Sequence, residues 1–217
     1  MMKKLIAPSM MCADFEHLKA QVNALDAAGI DVFHMDVMDG HYVPNVALGV
    51  EDFKAIRKLT KTPMDIHLMV DNPDDFIAIF APMKPQIIYV HPDTVPMVTR
   101  TLANLKDLGI HPGIAINPGI SFEQVQELLP LVDYVLVMTV NPGFAGQPFL
   151  DYTLPKIKRF VAVQDEYPFT LFVDGAISPE RVKMLSNLGV NGFVVGTSAL
   201  FGKEQSYATI VSQLKEQ

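Results

Sequence analysis

Cysteine occurs once in 217 residues, as Cys12, so no internal disulfide can form and the chain suits a reducing compartment. There is no run of lysine or arginine. The balance is acidic, with 24 Asp and Glu against 17 Lys and Arg for a net charge of −7, which argues against nucleic acid or an anionic membrane as partner and leaves a small solute. No apolar stretch approaches membrane-spanning length. The opening Met1-Met2-Lys3-Lys4 looks like the charged start of a signal sequence, but Pro8, Ser9 and Asp14 cut the apolar run after it. A cytoplasmic protein is the expectation. Linkers, low-complexity tracts and charged tails are missing too, so residues 1–217 are expected to form one domain. The 49% hydrophobic content can furnish a sizeable core.

What is present is one pattern repeated. Short apolar, β-branched runs recur at Leu5-Ile6-Ala7, Val32 to Val37, Ile66 to Val70, Ile87 to Val90, Ile114 to Ile116, Tyr134 to Val140, Leu171 to Val173 and Phe193 to Val195. They are continuous rather than alternating, as strands covered on both faces of a parallel sheet require. Helical periodicity lies between them. Asp14 is placed to cap a helix carrying Phe15, Leu18, Val22 and Leu25; Ser121 and Gln124 have capping-box spacing ahead of Val125, Leu128 and Leu129; Ser178-Pro179 opens a helix with Val182, Leu185 and Leu188. Gly29, Gly109 and Gly189 each follow a helix end and precede a strand, as C-cap glycines do. They are 80 residues apart. Three strand–helix units fit each interval at roughly 27 residues per unit, so eight fill the chain and the fold expected is a closed (β/α)8 TIM barrel. An open doubly wound sheet would usually begin with a glycine-rich first turn, and Ala7-Pro8-Ser9-Met10-Met11 is not one.

In such a barrel the active site sits at the C-terminal ends of the strands. His34 and Asp36 are two apart in one strand and so share a face. His67 ends the third strand and Asp174 the seventh, while Ser9 follows the first. Singly, each has an ordinary structural reading, a hydrogen-bonded histidine or a turn aspartate. Jointly, two imidazoles and two carboxylates at one apolar mouth would be costly without a shared partner. Imidazole with carboxylate suits a divalent transition metal, with zinc first, iron(II) second, and manganese or cobalt possible in the same ligand set.

Glycine-rich turns follow the last three strands: Gly143-Phe144-Ala145-Gly146 after the sixth, Gly175-Ala176 after the seventh, and Gly196-Thr197-Ser198 after the eighth. Backbone N–H groups at such turns bind anions, and barrels often hold phosphate there. A phosphate cradle is the reading. Met38, Met69 and Met138 end strands two, three and six, where methionine is ordinarily core filler; a polarizable lid over a reacting centre is the sharper alternative.

Together, Ala7-Pro8-Ser9, His34-Met35-Asp36-Val37-Met38-Asp39-Gly40-His41-Tyr42-Val43-Pro44-Asn45, Asp65-Ile66-His67-Leu68-Met69-Val70 and Val140-Asn141-Pro142-Gly143-Phe144-Ala145-Gly146-Gln147 closely resemble the ribulose-phosphate 3-epimerases in order and over nearly the whole length. The resemblance implies a ribulose-phosphate-binding (β/α)8 barrel with one divalent ion held by His34, Asp36, His67 and Asp174. It implies that the two aspartates are the acid and base, that Ser9 and His67 help bind substrate, and that the glycine-rich loops hold phosphate. It also implies a homo-oligomer. Met11-Cys12, His91-Pro92-Asp93-Thr94, Ala145 and Gly196-Thr197-Ser198 look more like the sister allulose-6-phosphate 3-epimerases, so the substrate expected is D-allulose 6-phosphate, with D-ribulose 5-phosphate as the alternative. Ala176 replaces a glycine of the common pattern, and phosphate binding there is expected to require that it avoid positive φ.

The chemistry follows from the ketose. Removing the C3 hydrogen beside a C2 carbonyl leaves an enediolate, whose charge a Lewis acid stabilises; inversion then needs two acid/base groups flanking C3, one ionised and one protonated. Asp36 and Asp174 meet that demand. Barrel hydrolases that place a His-X-His pair on strand 1 are excluded by Pro8-Ser9, and decarboxylases with an Asp-X-Lys pair find none at Asp36-Val37. A non-catalytic sugar-phosphate binder is the remaining alternative.

Overall fold

The structure is a computed structural model and describes residues 4–216; Met1, Met2 and Lys3 of the signal-like opening lie outside the described residues. Eight parallel strands form the wall: β1 (Leu5–Pro8), β2 (Phe33–Asp39), β3 (Met64–Met69), β4 (Ile87–Val90), β5 (His111–Ile116), β6 (Tyr134–Met138), β7 (Thr170–Asp174) and β8 (Gly192–Val195). From β2 onward each pairs with its neighbour in chain order, and β8 pairs back onto β1. The last seam, between β1 and β2, is closed by a single parallel bridge of Ser9 to His34. A two-residue antiparallel arm, Val46–Ala47, folds onto Met38 and Asp39 at the C-terminal end of β2.

Among the described residues, seven α-helices cover the outside: α1 (Leu18–Ala27), α2 (Val50–Leu59), α3 (Pro73–Phe80), α4 (Val98–Asp107), α5 (Leu154–Ala162), α6 (Pro179–Leu188) and α7 (Tyr207–Glu216). The first, fourth and sixth helices end as the evenly spaced glycines predict, with Gly29, Gly109 and Gly189 all at positive φ. Ser178 accepts a hydrogen bond from the Arg181 N–H and Pro179 takes the first turn of α6. Asp14 caps a 3-10 turn, Phe15–His17, that leads into α1. The helix expected behind Ser121 is instead a 3-10 helix, Gln126–Leu131. Gln124 does reach back to the Ser121 N–H, but Pro130 sits inside the segment, where it can neither donate to the i−4 carbonyl nor tolerate its approach.

Parity along the strands separates two cores. Phe33, Met35 and Val37 of β2, with Ile66 and Leu68 of β3, face outward into the layer shared with the helices. Inward-facing Ala7, Ile87, Tyr89, Leu136, Phe172 and Val194 fill the barrel itself. Two strands carry glycine to make room. A Cβ on Gly113 would stand 2.4 Å from the Tyr89 ring, and one on Gly192 would stand 2.3 Å from Phe172; in each case the glycine is the cross-strand partner of the aromatic residue. The aromatics therefore lie flat across the neighbouring strand and stop the lower barrel, and the polar inward positions begin above them.

Candidate active site

Four inward side chains meet above this apolar floor. The register sets His34 beside Asp65 and Asp36 beside His67, so β2 and β3 present a square of alternating imidazole and carboxylate. Asp174 enters from β7. His34 Nε2 lies 3.3 Å from Asp36 Oδ1, His67 Nδ1 lies 3.4 Å from the same oxygen, and His67 Nδ1 lies 3.8 Å from Asp174 Oδ2. One ligand atom from each of His34, Asp36, His67 and Asp174 falls within 4.8 Å of all the others. Tetrahedral ligands on bonds of about 2.1 Å stand roughly 3.4 Å apart. His34 Nε2 and His67 Nδ1 are buried with no hydrogen-bond partner, which is the chemistry an ion in that gap would satisfy, and the N2O2 donor set fits a divalent transition metal.

The two aspartates are in opposite electrostatic situations. Burial works against ionisation of Asp36, but His34 and His67 outweigh it and hold its carboxyl well below the usual carboxylate range. Burial, followed by the charge on Asp36, pushes Asp174 up to about 7. Ser9 supports the ionised partner by donating from Oγ to Asp36 Oδ2 at 2.6 Å.

The structure also brings in residues that the sequence reading passed over. Asp65 is fully buried, with Oδ1 2.7 Å from His34 Nδ1, the position of a carboxylate that orients a metal-binding imidazole. The same two-residue spacing that selects His34 and Asp36 was there to be read in Asp65 and His67. His91, also fully buried, places Nε2 2.8 Å from His67 Nε2. Thr139 donates from Oγ1 to the carbonyls of Asp174 and Gly175 and so pins the end of β7.

Above the four inward side chains, Ser9, Asp36 and Asp174 open into a cavity. Met38, Met69 and Met138 line it, as do Gly143, Phe144, Ala145, Gly146, Gly175, Ala176, Gly196, Thr197 and Ser198. Every residue of the expected phosphate cradle thus reaches one cavity. Asn45 donates to the Gly143 carbonyl at 2.7 Å, tying the loop after β2 to the loop after β6. One expectation is overturned: Ala176 has φ of 54°. Positive φ crowds the Cβ of an L-residue at a cost of roughly 1 kcal/mol, but it does not redirect that residue's own N–H, which lies in the preceding peptide plane.

The model of the ribulose-phosphate 3 epimerase family matches residues 5–201. The chain belongs to the ribulose-phosphate 3-epimerase family. Curated relatives named ribulose-phosphate 3-epimerase include one from Helicobacter pylori, 40% identical over 94% of each chain. Others are from Bacillus subtilis, 37% identical over 91% of this chain and 92% of the relative, and from Methanocaldococcus jannaschii, 38% identical over 97% and 89%. Among solved structures, KGPDC from Streptococcus mutans superposes with a TM-score of 0.74 at 13% identity, covering 98% of this chain and 96% of that one. Thiamine phosphate pyrophosphorylase from Pyrococcus furiosus gives 0.63 at 17% identity, covering 98% and 94%. These last two speak to the barrel fold alone. Membership makes the chain a carbohydrate epimerase, an isomerase. The names of the relatives do not support the six-carbon substrate expected from Met11-Cys12 and Gly196-Thr197-Ser198, and favour the five-carbon alternative.

Proposed function

We propose that the protein interconverts D-ribulose 5-phosphate and D-xylulose 5-phosphate by inverting C3, with one divalent ion held by His34, Asp36, His67 and Asp174. The observation that carries this reading is the meeting of those four ligand atoms within 4.8 Å of one another, beneath a cavity walled by three glycine-bearing loops, in a chain of this family. A bound ion, with zinc first and iron(II), manganese or cobalt as alternatives, would supply Lewis-acid stabilisation of negative charge on the C2 and C3 oxygens.

The protein's own residues do the rest. Asp36 and Asp174 are the two acid/base groups: the ionised one takes a proton from C3 while the protonated one delivers a proton to the other face. The roles exchange in the reverse direction. The two residues come from strands separated by β8 and β1, so they approach C3 from different sides. Ser9 fixes the Asp36 carboxylate, and Met38, Met69 and Met138 keep water from the reacting carbon. Backbone N–H groups at Gly143, Phe144, Ala145, Gly146, Gly175, Ala176, Gly196, Thr197 and Ser198 hold the phosphate and so place C3 between the carboxylates.

A six-carbon substrate, D-allulose 6-phosphate, is the second reading, supported by one observation. The departures from the common pattern at Cys12, Ala145, Ala176, Thr197 and Ser198 all line the same cavity. Comparing kcat/KM for the two ketose phosphates in heavy water decides between them. Deuterium should enter C3 of the preferred substrate, and failure of both to exchange would end the epimerase reading. Metal analysis should find about one divalent ion per chain, and chelation should abolish turnover until the ion is restored. A cytoplasmic homo-oligomer completes the proposal, and light scattering on the purified protein measures its assembly.

A further inference from the structure

Resting on the metal centre proposed above, we infer that His91, with Asp93 behind it, is a positioning residue that fixes which ring nitrogen of His67 faces the ion. The Nε2 atoms of His67 and His91 are 2.8 Å apart, with ring centroids 5.0 Å apart and planes inclined by 29°. Two imidazoles meeting edge to edge at that distance share one proton, because two lone pairs or two N–H groups would repel. Near-coplanarity suits an N–H···N bond, since the acceptor lone pair lies in its ring plane.

Two assignments of the proton are possible, and the surroundings choose between them. If His91 were the donor, His67 would carry its hydrogen on Nδ1, the atom that faces Asp36 and Asp174, and could not ligate. His91 Nδ1 would then present a bare lone pair toward Asp93 Oδ1, 4.0 Å away. If His67 is the donor, its Nδ1 lone pair is free for the ion and His91 carries an Nδ1 hydrogen toward the Asp93 carboxylate. With an ion between His67 Nδ1 and the carboxylates of Asp36 and Asp174, only this assignment lets His67 ligate, and it also turns an N–H rather than a lone pair toward Asp93. Asp93 is itself held in place, because Tyr42 donates to its Oδ2 at 3.1 Å and Asn117 donates to the same oxygen at 3.0 Å, which leaves Oδ1 facing His91 Nδ1 at 4.0 Å as a nearby charge rather than a hydrogen-bond acceptor. The Tyr42 ring covers His91 with centroids 5.0 Å apart, and His91 is fully buried, so water does not take over its part. Strand ends β3, β4 and β5 and the loop after β2 therefore converge on the tautomer of one ligand.

Three measurements test this on the full-length protein. Nitrogen-15 NMR of the Zn²⁺-loaded chain should find the His91 hydrogen on Nδ1, with Nε2 bare and accepting from His67; a His91 hydrogen on Nε2 overturns the inference while ligation by His67 persists. Chelator competition with Zn²⁺ should show that His91→Phe, which fills the space without an acceptor, loses about 10- to 100-fold in affinity, while His91→Gln, whose amide oxygen can accept, recovers most of it. Wild-type affinity in His91→Phe, or equal losses in both variants, would reduce His91 to packing. With Co²⁺ in place of zinc, the visible ligand-field bands should shift in His91→Phe and return in His91→Gln; an unchanged spectrum in both counts against positioning. If the wild-type protein binds neither ion, the metal reading fails and the inference with it, whereas normal metal affinity with a His91 hydrogen on Nε2 sinks the inference alone.

Discussion

Ser9 Oγ donates to Asp36 Oδ2 at 2.6 Å across the seam where a single bridge, from Ser9 to His34, joins the first and second strands of the barrel. One residue both closes the wall and steadies a carboxylate assigned to proton transfer. In Ser9→Ala, Asp36 loses a charge-assisted hydrogen bond of about 1.5–3 kcal/mol. The expected outcome is a fall of roughly tenfold or more in kcat/KM with the barrel intact by circular dichroism, and an unchanged kcat/KM would remove Ser9 from the site.

Asp36→Asn and Asp174→Asn each delete one of the two proton-transfer groups. Steady-state assays should show losses on the order of 10²- to 10⁴-fold, the usual worth of a positioned acid or base. A variant that turns over at near-normal rates would exclude its aspartate from the chemistry.

Asp174 also makes a pH-dependent contribution to stability in the metal-free protein. Its carboxyl is raised from an ordinary 3.8 to about 7 by burial and by Asp36. Between those values the folded chain holds a proton that the unfolded chain has released, so stability from this group falls as pH rises through the window. The Tm of Asp174→Asn relative to wild type should therefore climb between pH 4 and pH 8. Parallel Tm profiles for the two metal-free proteins would contradict this account.

Gly192→Ala tests the packing of the floor. Its new Cβ would sit 2.3 Å from the Phe172 ring, and overpacking of this kind costs about 1–3 kcal/mol. Differential scanning calorimetry should register a lower Tm, with partial recovery in Gly192→Ala combined with Phe172→Leu. A Tm equal to wild type would mean that the ring moves aside freely.

The barrel was legible because its periodicity is carried by backbone chemistry. Gly29, Gly109 and Gly189 mark the same joint three times, and continuous apolar runs mark the strands between. The meeting of His34, Asp36, His67 and Asp174 at one point was legible for a similar reason, since alternation in a strand makes His34 and Asp36 point the same way. What escaped depends on contacts between strands. Asp65 shares the parity of His67, but its role comes from His34 on the neighbouring strand. His91 gains its meaning only from a ring 24 positions earlier in the chain. The helix expected after Ser121 failed locally: the capping signal was present, and Pro130 overrode it. The positive φ of Ala176 was not legible at all, because an alanine carries no local signal for a left-handed backbone.

Tyr89 over Gly113 and Phe172 over Gly192 make the molecule a cup rather than a tunnel. A sugar phosphate has a single doorway, and the epimer leaves by the route its precursor entered. If the glycine-bearing rim holds the phosphate as proposed, each catalytic cycle ends with its release there, and the bottom of the vessel, having no traffic to pass, is free to be rigid.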